Sequence, residues 1–398
     1  MNNITEDFFT WINDNATADT ARLRLKYGNA RAFEILQIDC RKKYATKLAD
    51  TLARDAEFVF PTALSGEQST SDRLAQYHAS MIADGASVID LTAGLGIDAM
   101  TIARTAASEV VAVERDPQVA EALRYNSRNI RNLKVIEGDC RDVVKTLLEE
   151  GRRFDYAFID PARRAGDGSR VFALSDCEPD VTAMLPDLRK LAATLIVKAS
   201  PMLDITETIE RLPGTVEVTA LGTTTECKEL DFKVDLDSDS NGEYIIKAAT
   251  VGEGLESIFA FTRAEEAAAT SAYGEPKVGD IIYEPYPAVM KAAPFKLLGE
   301  RFDLRKAGSN THLWFSDCDA PDFPGKALRV VEVLPYMSKH IKRYASRYPR
   351  VGVTTRNFDT GADTLRAKLG VKDGPMRLFA ITAFNTRKLL ITCQPINS

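Results

Sequence analysis

The sequence lacks several features that mark whole classes of protein. No apolar run approaches the roughly 20 residues that a membrane-spanning helix needs, and the opening segment MNNITEDFFTWINDN is unlike a secretory signal. The six cysteines show no CxxC spacing, which is evidence against a zinc site or a disulfide framework and fits a reducing compartment. The three histidines show no metal-ligand spacing either. We therefore expect a cytoplasmic protein with no metal site.

An excess of positive charge is also missing. The chain has 51 Lys and Arg residues against 57 Asp and Glu residues, a formal net charge of -6. Any binding of nucleic acid would therefore depend on a local basic patch. At 398 residues the chain is too long for one ordinary core, so we expect two or three domains.

The apolar patterns change along the chain. Residues 1–60 show helical periodicity and predict a small helical domain. From Ser87 to Val251, short β-branched runs alternate with helix-length segments, which predicts a parallel sheet covered on both faces. The runs TVEVTAL and ELDFKVDL are too close together for a crossover helix, so one of them should be antiparallel. Asn241 and Gly242 lie between ELDFKVDL and the next strand-like run, EYIIKAATV, and predict a β-hairpin turn.

A glycine-rich turn follows the first strand-like run, in the stretch VIDLTAGLGIDAM (88–100). Ligands of open parallel sheets bind at the carboxyl ends of strands. Gly94 and Gly96 let the backbone approach a ligand before a helix that should begin near Ile97. The glycines alone also loosely fit the G-x-G-x-x-A pattern of dinucleotide binders. Asp90 argues against that alternative, because a carboxylate here would attract an ammonium group and repel a pyrophosphate.

Three further acidic residues end strand-like runs. Glu114 ends VVAVE, where a carboxylate is placed to bind both hydroxyls of a ribose. Asp139 ends LKVIEGD, where it can accept a hydrogen bond from an adenine amine while the N–H of Cys140 bonds to the ring. Asp160 ends FDYAFIDP. Each acid alone is typical of a helix cap or a loop, but four at successive strand ends indicate a binding site.

Together these residues resemble a class I S-adenosylmethionine-dependent methyltransferase over about residues 60–235. The resemblance implies an α/β fold with a Rossmann-like seven-stranded core, and S-adenosylmethionine as the cofactor. In that family the glycine turn holds the methionine part, the second acid the ribose and the third acid the adenine. The residues implied to bind the cofactor are Asp90, Gly94, Gly96, Asp98, Glu114, Asp139 and Cys140, with Gln68 and Ser71 from the upstream segment PTALSGEQSTSDRLAQY.

The whole chain also resembles a narrower bacterial group, the uncharacterised methyltransferases with a THUMP-like C-terminal domain. The matching segments are DPARR (160–164), KASPMLD (198–204), ECKEL (226–230), YEPYPAVMKAAPFKLLGERF (283–302), NTHLW (310–314) and TTRNF (354–358). The resemblance implies a helical domain (1–60), a methyltransferase domain (61–255), a ferredoxin-like segment (275–322) and a THUMP-like domain (323–398). Because THUMP domains are associated with RNA binding, it also implies an RNA substrate.

The residues after Asp160 bear on the chemistry. Amine methyltransferases continue with two prolines and an aromatic that stacks on the target base, whereas here Pro161 is followed by Ala and Arg. Phe60 and Phe172 are candidates for the missing ring. Enzymes that methylate carbon 5 of pyrimidines need a cysteine after the fifth strand, and KASPM has none. A base nitrogen therefore remains as the acceptor of a direct, in-line transfer. The candidate catalytic residues are Asp160, Pro161 and Arg163, with Arg164 as a substrate contact.

A basic segment lies within the THUMP-like part. Residues 326–356 hold eight basic side chains and one acid, Glu332, which is typical of a phosphate-binding surface. The candidate RNA contacts are Lys339, Lys342, Arg343 and Arg347, and the tyrosines that interleave with them, Tyr336, Tyr344 and Tyr348, are candidates to stack on unpaired bases. The same pattern also fits a solvated helix face with tyrosines packed on a sheet.

Other classes of function stay open at this stage. A NAD-type oxidoreductase fits the glycine turn, although Asp90 and the DPAR segment argue against it. A non-catalytic RNA-binding protein that retains a cofactor pocket fits the altered motif after Asp160. A methyltransferase that acts on a protein or a small molecule is a further alternative. The sequence gives no indication of an oligomeric state.

Overall fold

The computed structural model of the chain describes residue 4 and residues 6–163, 174–240 and 242–396. The chain forms two compact units, Met1–Val218 with Glu229–Tyr244 and Thr219–Lys228 with Ile245–Ser398. No helix within the described ranges is long and apolar enough to cross a membrane.

The chain begins with helices, as its apolar periodicity predicts. These are α1 (Glu6–Asp14), α2 (Thr20–Tyr27), α3 (Ala32–Lys43), α4 (Ala49–Arg54), α5 (Ala63–Gln68) and α6 (Asp72–Ser80), with a 3-10 turn at Gly28–Arg31. Phe8 and Ile12 of α1 pack with Ile35 and Ile38 of α3 in a small core. The spacing of three or four residues within each pair puts both members on one helix face.

Strands and helices then alternate along the first unit. They are β1 (Ser87–Asp90), α7 (Ile97–Thr105), β2 (Glu109–Glu114), α8 (Pro117–Asn126), β3 (Leu133–Glu137), α9 (Cys140–Glu149), β4 (Phe154–Ile159), β5 (Ala162–Arg163), β6 (Cys177–Glu178), α10 (Val181–Leu191), β7 (Ala192–Ala199), α11 (Ile205–Arg211), β8 (Thr215–Gly222) and β9 (Cys227–Asp235). The hairpin β10 (Ile245–Gly252) and β11 (Leu255–Thr262) follows in the second unit. β5 and β6 pair only with each other.

The main sheet has the order β11-β10-β8-β9-β7-β4-β1-β2-β3. β3, β2, β1, β4 and β7 are parallel, and β9 is antiparallel to β7. This confirms the α/β fold and the antiparallel strand among the last two runs. The sheet has nine strands, because β10 and β11 extend the predicted seven. The boundary between the two units crosses β8 and β9.

The predicted hairpin at Asn241 and Gly242 is wrong. β10 lies beside β8, and β9 lies on the other side of β8. A hairpin would require β9 and β10 to be neighbours, and β8 already occupies the edge of β9 that β10 would need. Asn241 itself lies outside the described residues.

The second unit continues with a separate sheet. Its elements are α12 (Arg263–Ala268), β12 (Ala272–Tyr273), β13 (Ile281–Pro285), α13 (Pro287–Ala292), α14 (Leu297–Arg301), β14 (Arg305–Lys306), β15 (Trp314–Ser316), β16 (Gly325–Pro335), α15 (Ser338–Arg347), β17 (Arg350–Arg356), α16 (Ala362–Leu369), β18 (Lys372–Thr382) and β19 (Lys388–Pro395). The strand order is β12-β14-β15-β13-β16-β19-β18-β17. One sheet therefore runs across residue 323, because β13 pairs with β16.

Candidate functional site

The parallel order of the main sheet brings the predicted acids to one edge. Asp90 is the last residue of β1, Glu114 is the last residue of β2, and Asp160 directly follows β4. Asp139 follows β3 by two residues and caps α9. Neighbouring parallel strands end at the same edge of a sheet, which is where open α/β sheets bind their ligands.

The glycine turn after β1 has the backbone conformation that the sequence predicts. Gly94 has a φ of 54° and Gly96 a φ of 80°, both in the left-handed region that favours glycine. A Cβ added at Gly96 would lie 2.1 Å from Cδ1 of Leu123, whereas one at Gly94 would meet nothing within 4 Å. Gly96 therefore provides close packing against α8, and Gly94 leaves open space beside the turn.

Two carboxylates next to the turn are held by hydrogen bonds. Glu114 accepts hydrogen bonds from the backbone N–H of Gly94 at 2.8 Å and of Asp116 at 2.7 Å. Asp139 accepts hydrogen bonds from the backbone N–H of Arg141 at 2.9 Å and from its guanidinium at 2.6 Å. The bond from the Arg141 side chain is the main cause that lowers the pKa of Asp139 to about 2. Both carboxylates are therefore fixed in position before a ligand binds.

A cavity of about 410 Å³ opens beside Arg141, between α9 and α10. Its lining includes Glu178 and Asp180. The predicted adenine contacts lie next to it in the chain: Asp139 caps α9, and Cys140, the first residue of α9, is buried. The geometry thus leaves room near the place predicted for the adenine.

Asp90 is the most unusual acid at this edge. Its side chain is 2% exposed and accepts a hydrogen bond from the backbone N–H of Thr92 at 3.1 Å. Burial, followed by the charge of Asp98, raises the pKa of Asp90 to about 8. The carboxyl group is therefore mainly protonated at pH 7, and a cation beside it would favour its ionised form.

Behind this edge lies a buried cluster of charged side chains centred on His78. Nδ1 of His78 lies 2.7 Å from Oδ1 of Asp98, and Nε2 lies 2.8 Å from Oε1 of Glu229. Burial lowers the pKa of His78, but the carboxylates around it raise the pKa well above its usual value. His78 is therefore an imidazolium ion that donates to one carboxylate on each side. Asp98, predicted to bind the cofactor, instead bonds to His78 and Thr70.

Lys198 connects this cluster to the strand end of β4. Its Nζ lies 2.9 Å from Oδ2 of Asp160 and 3.5 Å from Oε2 of Glu229, and it donates to Oγ1 of Thr70 at 3.0 Å. Burial lowers the pKa of Lys198, but Asp160 and Glu229 raise it well above its usual value. Burial raises the pKa of Asp160, and Lys198 opposes this effect. The ammonium ion thus holds the carboxylate of Asp160 at the edge of the sheet.

Asp231 completes the cluster. Its carboxylate is fully buried, lies 3.7 Å from Nε2 of His78, and accepts no hydrogen bond within the described part of the chain. Burial raises the pKa of Asp231 to about 6. His78, Glu229 and Asp231 bring possible metal-ligand atoms within 4.8 Å of one another. Both nitrogens of His78 already have hydrogen-bonding partners, so the geometry fits an ion cluster.

The segment before β1 contributes Thr70 to this cluster. Thr70 is buried and links Asp98 to Lys198. Gln68 is exposed at the end of α5, and Ser71 caps α6 by accepting from the N–H of Leu74. Ser71 therefore acts as the N-cap of α6 in this structure.

The predicted catalytic segment is described only in part. The backbone N–H of Asp160 donates to Oγ1 of Thr92 at 2.7 Å, and Pro161 is buried. Arg163 lies in β5 and pairs with Cys177 of β6. Arg164 and Phe172 lie outside the described residues. The proposed stacking role of Phe60 is wrong, because this ring is 0% exposed within the core.

The four candidate RNA contacts of the basic segment lie on one face of α15, in the second unit. Lys339, Lys342, Arg343 and Arg347 are exposed, and Arg347 pairs with Glu332. The prediction that Tyr344 stacks on a base is wrong, because it is fully buried and its hydroxyl bonds to Thr392. The two other predicted stacking tyrosines also pack within this unit: Tyr336 lies edge-on to Phe358, and Tyr348 lies against Tyr344.

Comparison with known proteins gives three family matches along the chain. Residues 55–174 match the family described as conserved hypothetical protein 95, residues 282–324 match a ferredoxin-like domain, and residues 325–395 match a THUMP-like domain. The structure is similar over 98% of its length to 98% of a presumed methyltransferase from Porphyromonas gingivalis W83, with 28% sequence identity and a TM-score of 0.87. The predicted resemblance to a methyltransferase with a THUMP-like domain is confirmed.

A curated relative supports the same enzyme class. An uncharacterized RNA methyltransferase of Rhizobium meliloti (strain 1021) is 29% identical over 142 residues, which are 33% of this chain and 34% of that protein. The chain thus matches about a third of the length of this curated relative. The names of both relatives agree with the predicted enzyme class, a methyltransferase.

The sequence analysis missed the cluster behind the strand ends. The three histidines had shown only a lack of metal-ligand spacing, and Lys198 and Glu229 appeared only within the resemblance motifs KASPMLD and ECKEL. One signal was present, because Lys198 interrupts an otherwise apolar strand, TLIVKA, at its carboxyl end. A lysine is rarely buried without a paired carboxylate, so this position predicts an acidic partner.

Proposed function

We propose that this protein is an S-adenosylmethionine-dependent methyltransferase that transfers the methyl group to a nitrogen of a base in structured RNA. The observation that carries the proposal is the pairing of Asp160 with the buried Lys198 at 2.9 Å. This pair stands at the same strand edge as Asp90 and the glycine turn. A charged acceptor of hydrogen bonds is thereby fixed beside the proposed cofactor site.

The residues at this edge fit the proposed cofactor. The carboxyl group of Asp90 is buried and mainly protonated at pH 7. A cationic ligand beside it would favour the ionised carboxylate and would be attracted by its charge. Glu114 presents a carboxylate that the backbone already orients, as a ribose diol requires. S-adenosylmethionine brings both a cationic centre and a ribose, and it supplies a methyl group that its sulfonium ion has activated.

The protein then has to position the acceptor and exclude water. We propose that Asp160 accepts a hydrogen bond from the exocyclic amine or the ring N–H of the base. Lys198 keeps this carboxylate in place, and the bond from the N–H of Asp160 to Thr92 fixes the backbone behind it. The segment directly after β7, SPMLD, has no cysteine, so the proposed transfer is direct, without a covalent intermediate.

RNA as the substrate rests on two features outside this edge. Residues 325–395 of the second unit match a THUMP-like domain, and α15 exposes three basic side chains with no carboxylate partner among the described residues: Lys339, Lys342 and Arg343. Exposed cations on one helix face are suited to contact successive phosphates. The name of the Rhizobium meliloti relative points to the same substrate class.

The test follows labelled methyl groups from S-adenosylmethionine into total RNA from a strain that lacks the gene. We expect transfer into one RNA fraction, and a loss of about 100-fold or more in Asp160→Ala. Binding of S-adenosylmethionine, measured by isothermal titration, should persist in that variant. Asp142→Asn is the matched control, since Asp142 is an exposed acid on α9.

The outcomes separate the competing functions. Cofactor binding without labelled RNA would favour a protein or small-molecule acceptor, or a binding role without catalysis. Equal transfer by Asp160→Ala and Asp142→Asn would remove Asp160 from the mechanism. Absence of cofactor binding by the unaltered protein would contradict the proposal as a whole.

A further inference from the structure

A second buried cation lies in the ferredoxin-like part of the second unit and has no role in the proposed methyl transfer. Lys306 is 4% exposed, and its Nζ donates one hydrogen bond, to the carbonyl of Ser309 at 2.7 Å. It forms no ion pair with any carboxylate in the described ranges. Buried lysines are normally paired, so this ammonium ion lacks the counter-ion that its burial calls for.

Aromatic rings surround this ammonium ion. Nζ of Lys306 lies 5.2 Å from the ring centre of Phe295 and 5.4 Å from that of Trp314. Trp314 faces Lys306 across the antiparallel pair β14 and β15. Such cation–π contacts stabilise a desolvated cation only in part, and they leave two of its three N–H groups without an acceptor among the described residues.

His312 brings a further unpaired nitrogen to the same place. Its ring centre lies 3.9 Å from that of Phe295 and 6.4 Å from that of Trp314. Nδ1 of His312 and Nε1 of Trp314 are both buried, and neither has a hydrogen-bonding partner in the part of the chain that the structure describes. The backbone of His312 has a φ of 48°, which is uncommon for a residue other than glycine. A strained backbone thus holds this ring against Phe295.

We propose that Lys306, His312 and Trp314 form a binding site for the phosphate group of a nucleotide. The three side chains offer nitrogen donors without matching acceptors, so the missing partner carries several acceptor oxygens. Phe295 and His312 are half-buried, whereas Lys306 and Trp314 are buried. The ring faces of Phe295 and His312 are suited to stack on the base of the same nucleotide.

The charges around the site favour an anion. Burial is the main cause that lowers the pKa of His312 to about 4. The positive charges of Lys306 and Arg356 lower it further. His312 is therefore neutral at pH 7 and available as an N–H donor. Burial lowers the pKa of Lys306 to about 8, so this amine is still mainly charged at pH 7. The charge of Glu266 raises the pKa of Lys306, but the carboxylate of Glu266 already accepts hydrogen bonds from the backbone N–H groups of Lys296 and Leu297.

The phosphate group can come from a free mononucleotide or from RNA, and the experiment distinguishes the two sources. Inorganic phosphate, AMP and a short oligoribonucleotide with a terminal phosphate are titrated separately into the full-length protein. The variants are Lys306→Met, which keeps an unbranched side chain without the charge, and Lys277→Met, which removes an exposed lysine from the same unit. Thermal unfolding of each variant shows whether it is folded.

We expect at least one probe to bind, with affinity at least tenfold weaker for Lys306→Met and unchanged for Lys277→Met. The midpoint of thermal unfolding of Lys306→Met should not fall, because the substitution removes a buried, unpaired charge. Binding of AMP identifies a free nucleotide as a sufficient ligand, and binding of the oligoribonucleotide alone identifies RNA. Equal affinities for both variants, or no binding of any probe to the unaltered protein, would overturn the proposal. Methyl transfer is not part of this test, so its outcome is independent of the proposed activity.

Discussion

Replacement of Asp90 by Asn should stabilise the ligand-free protein while it abolishes the coupling of cofactor binding to a proton. Burial raises the pKa of Asp90 from its ordinary 3.8 to about 8. The folded chain therefore keeps a proton that the unfolded chain releases. An acid with a raised pKa in the folded state loses stability as pH rises between these two values. Asn cannot ionise, so the variant avoids this loss.

The magnitude follows from the pKa. Each pH unit between the two values changes the free energy of unfolding by up to about 1.4 kcal/mol. Between pH 5.5 and pH 8, the free energy of unfolding of Asp90→Asn should therefore rise by up to about 3 kcal/mol relative to that of the unaltered protein. Urea unfolding at both pH values measures this difference, and Asp142→Asn, at an exposed position, should show none. If the free energies of unfolding of Asp90→Asn and the unaltered protein differed by the same amount at both pH values, the raised pKa of Asp90 would be refuted.

The same carboxyl group links binding to pH. If the cationic centre of S-adenosylmethionine lies beside Asp90, binding lowers the pKa of Asp90 and releases close to one proton at pH 7. Calorimetry in two buffers of different ionisation enthalpy counts that proton. The affinity should rise with pH up to about 8 and become nearly independent of pH in Asp90→Asn, where it is also weaker. Release of the same number of protons by both proteins would place the cation elsewhere.

Three further predictions concern single features of the fold. Lys198→Met should lower the free energy of unfolding by about 3 kcal/mol in urea titrations, because it removes the buried cation that pairs with Asp160 and Glu229, and it should also abolish methyl transfer. Gly96→Ala should lower the thermal midpoint far more than Gly94→Ala, since both change a left-handed residue but only the first meets a neighbouring side chain. Replacement of Lys339 and Lys342 by Gln should weaken RNA binding and reduce its logarithmic salt slope by about two; an unchanged slope would exclude this helix face.

The strand ends were predictable from the sequence, and the cluster behind them was not. The acids of β1, β2 and β4 follow apolar runs directly, and a parallel sheet puts such ends on one edge. His78, Lys198 and Glu229 meet only because α6, β7 and β9 pack together, and Glu229 is 151 residues from His78. Periodicity indicates that a residue is buried, but it does not identify the residues it contacts across such separations.

The errors have equally local causes. The strand-like runs on either side of Asn241 and Gly242 suggested a hairpin. Sequence patterns indicate strands but not their order across the sheet, and β8 lies between β9 and β10. The burial of Tyr344 could have been predicted. Tyr344 follows Ile341 by three residues, which puts both on the buried face of α15. The basic residues of this helix lie on its other face, so their charge carried no information about the tyrosine.

The charge cluster also contributes to the pH dependence of the free energy of unfolding near neutrality. Burial raises the pKa of Asp98, but His78 lowers it to about 2, and the carboxylates raise the pKa of His78 well above its usual value. The stabilisation from Asp98 is therefore lost as pH falls from its ordinary 3.8 towards about 2, and that from His78 is fully present only below its ordinary pKa of 6.5 and is lost progressively as pH rises above it. Asp90 and Asp231 add further losses of stability at rising pH, because burial raises their pKa values to about 8 and about 6.

The positions of these two acids separate their effects. Asp90 lies at the strand edge, and Asp231 lies 3.7 Å from His78 within the cluster. Asp231→Asn should therefore remove the part of the stability change that falls between about pH 4 and pH 6. It should leave the proton released on cofactor binding unchanged, because calorimetry reports only groups whose pKa the ligand alters. If Asp231→Asn removed that proton and Asp90→Asn did not, the cationic ligand would lie against the cluster and not against the glycine turn.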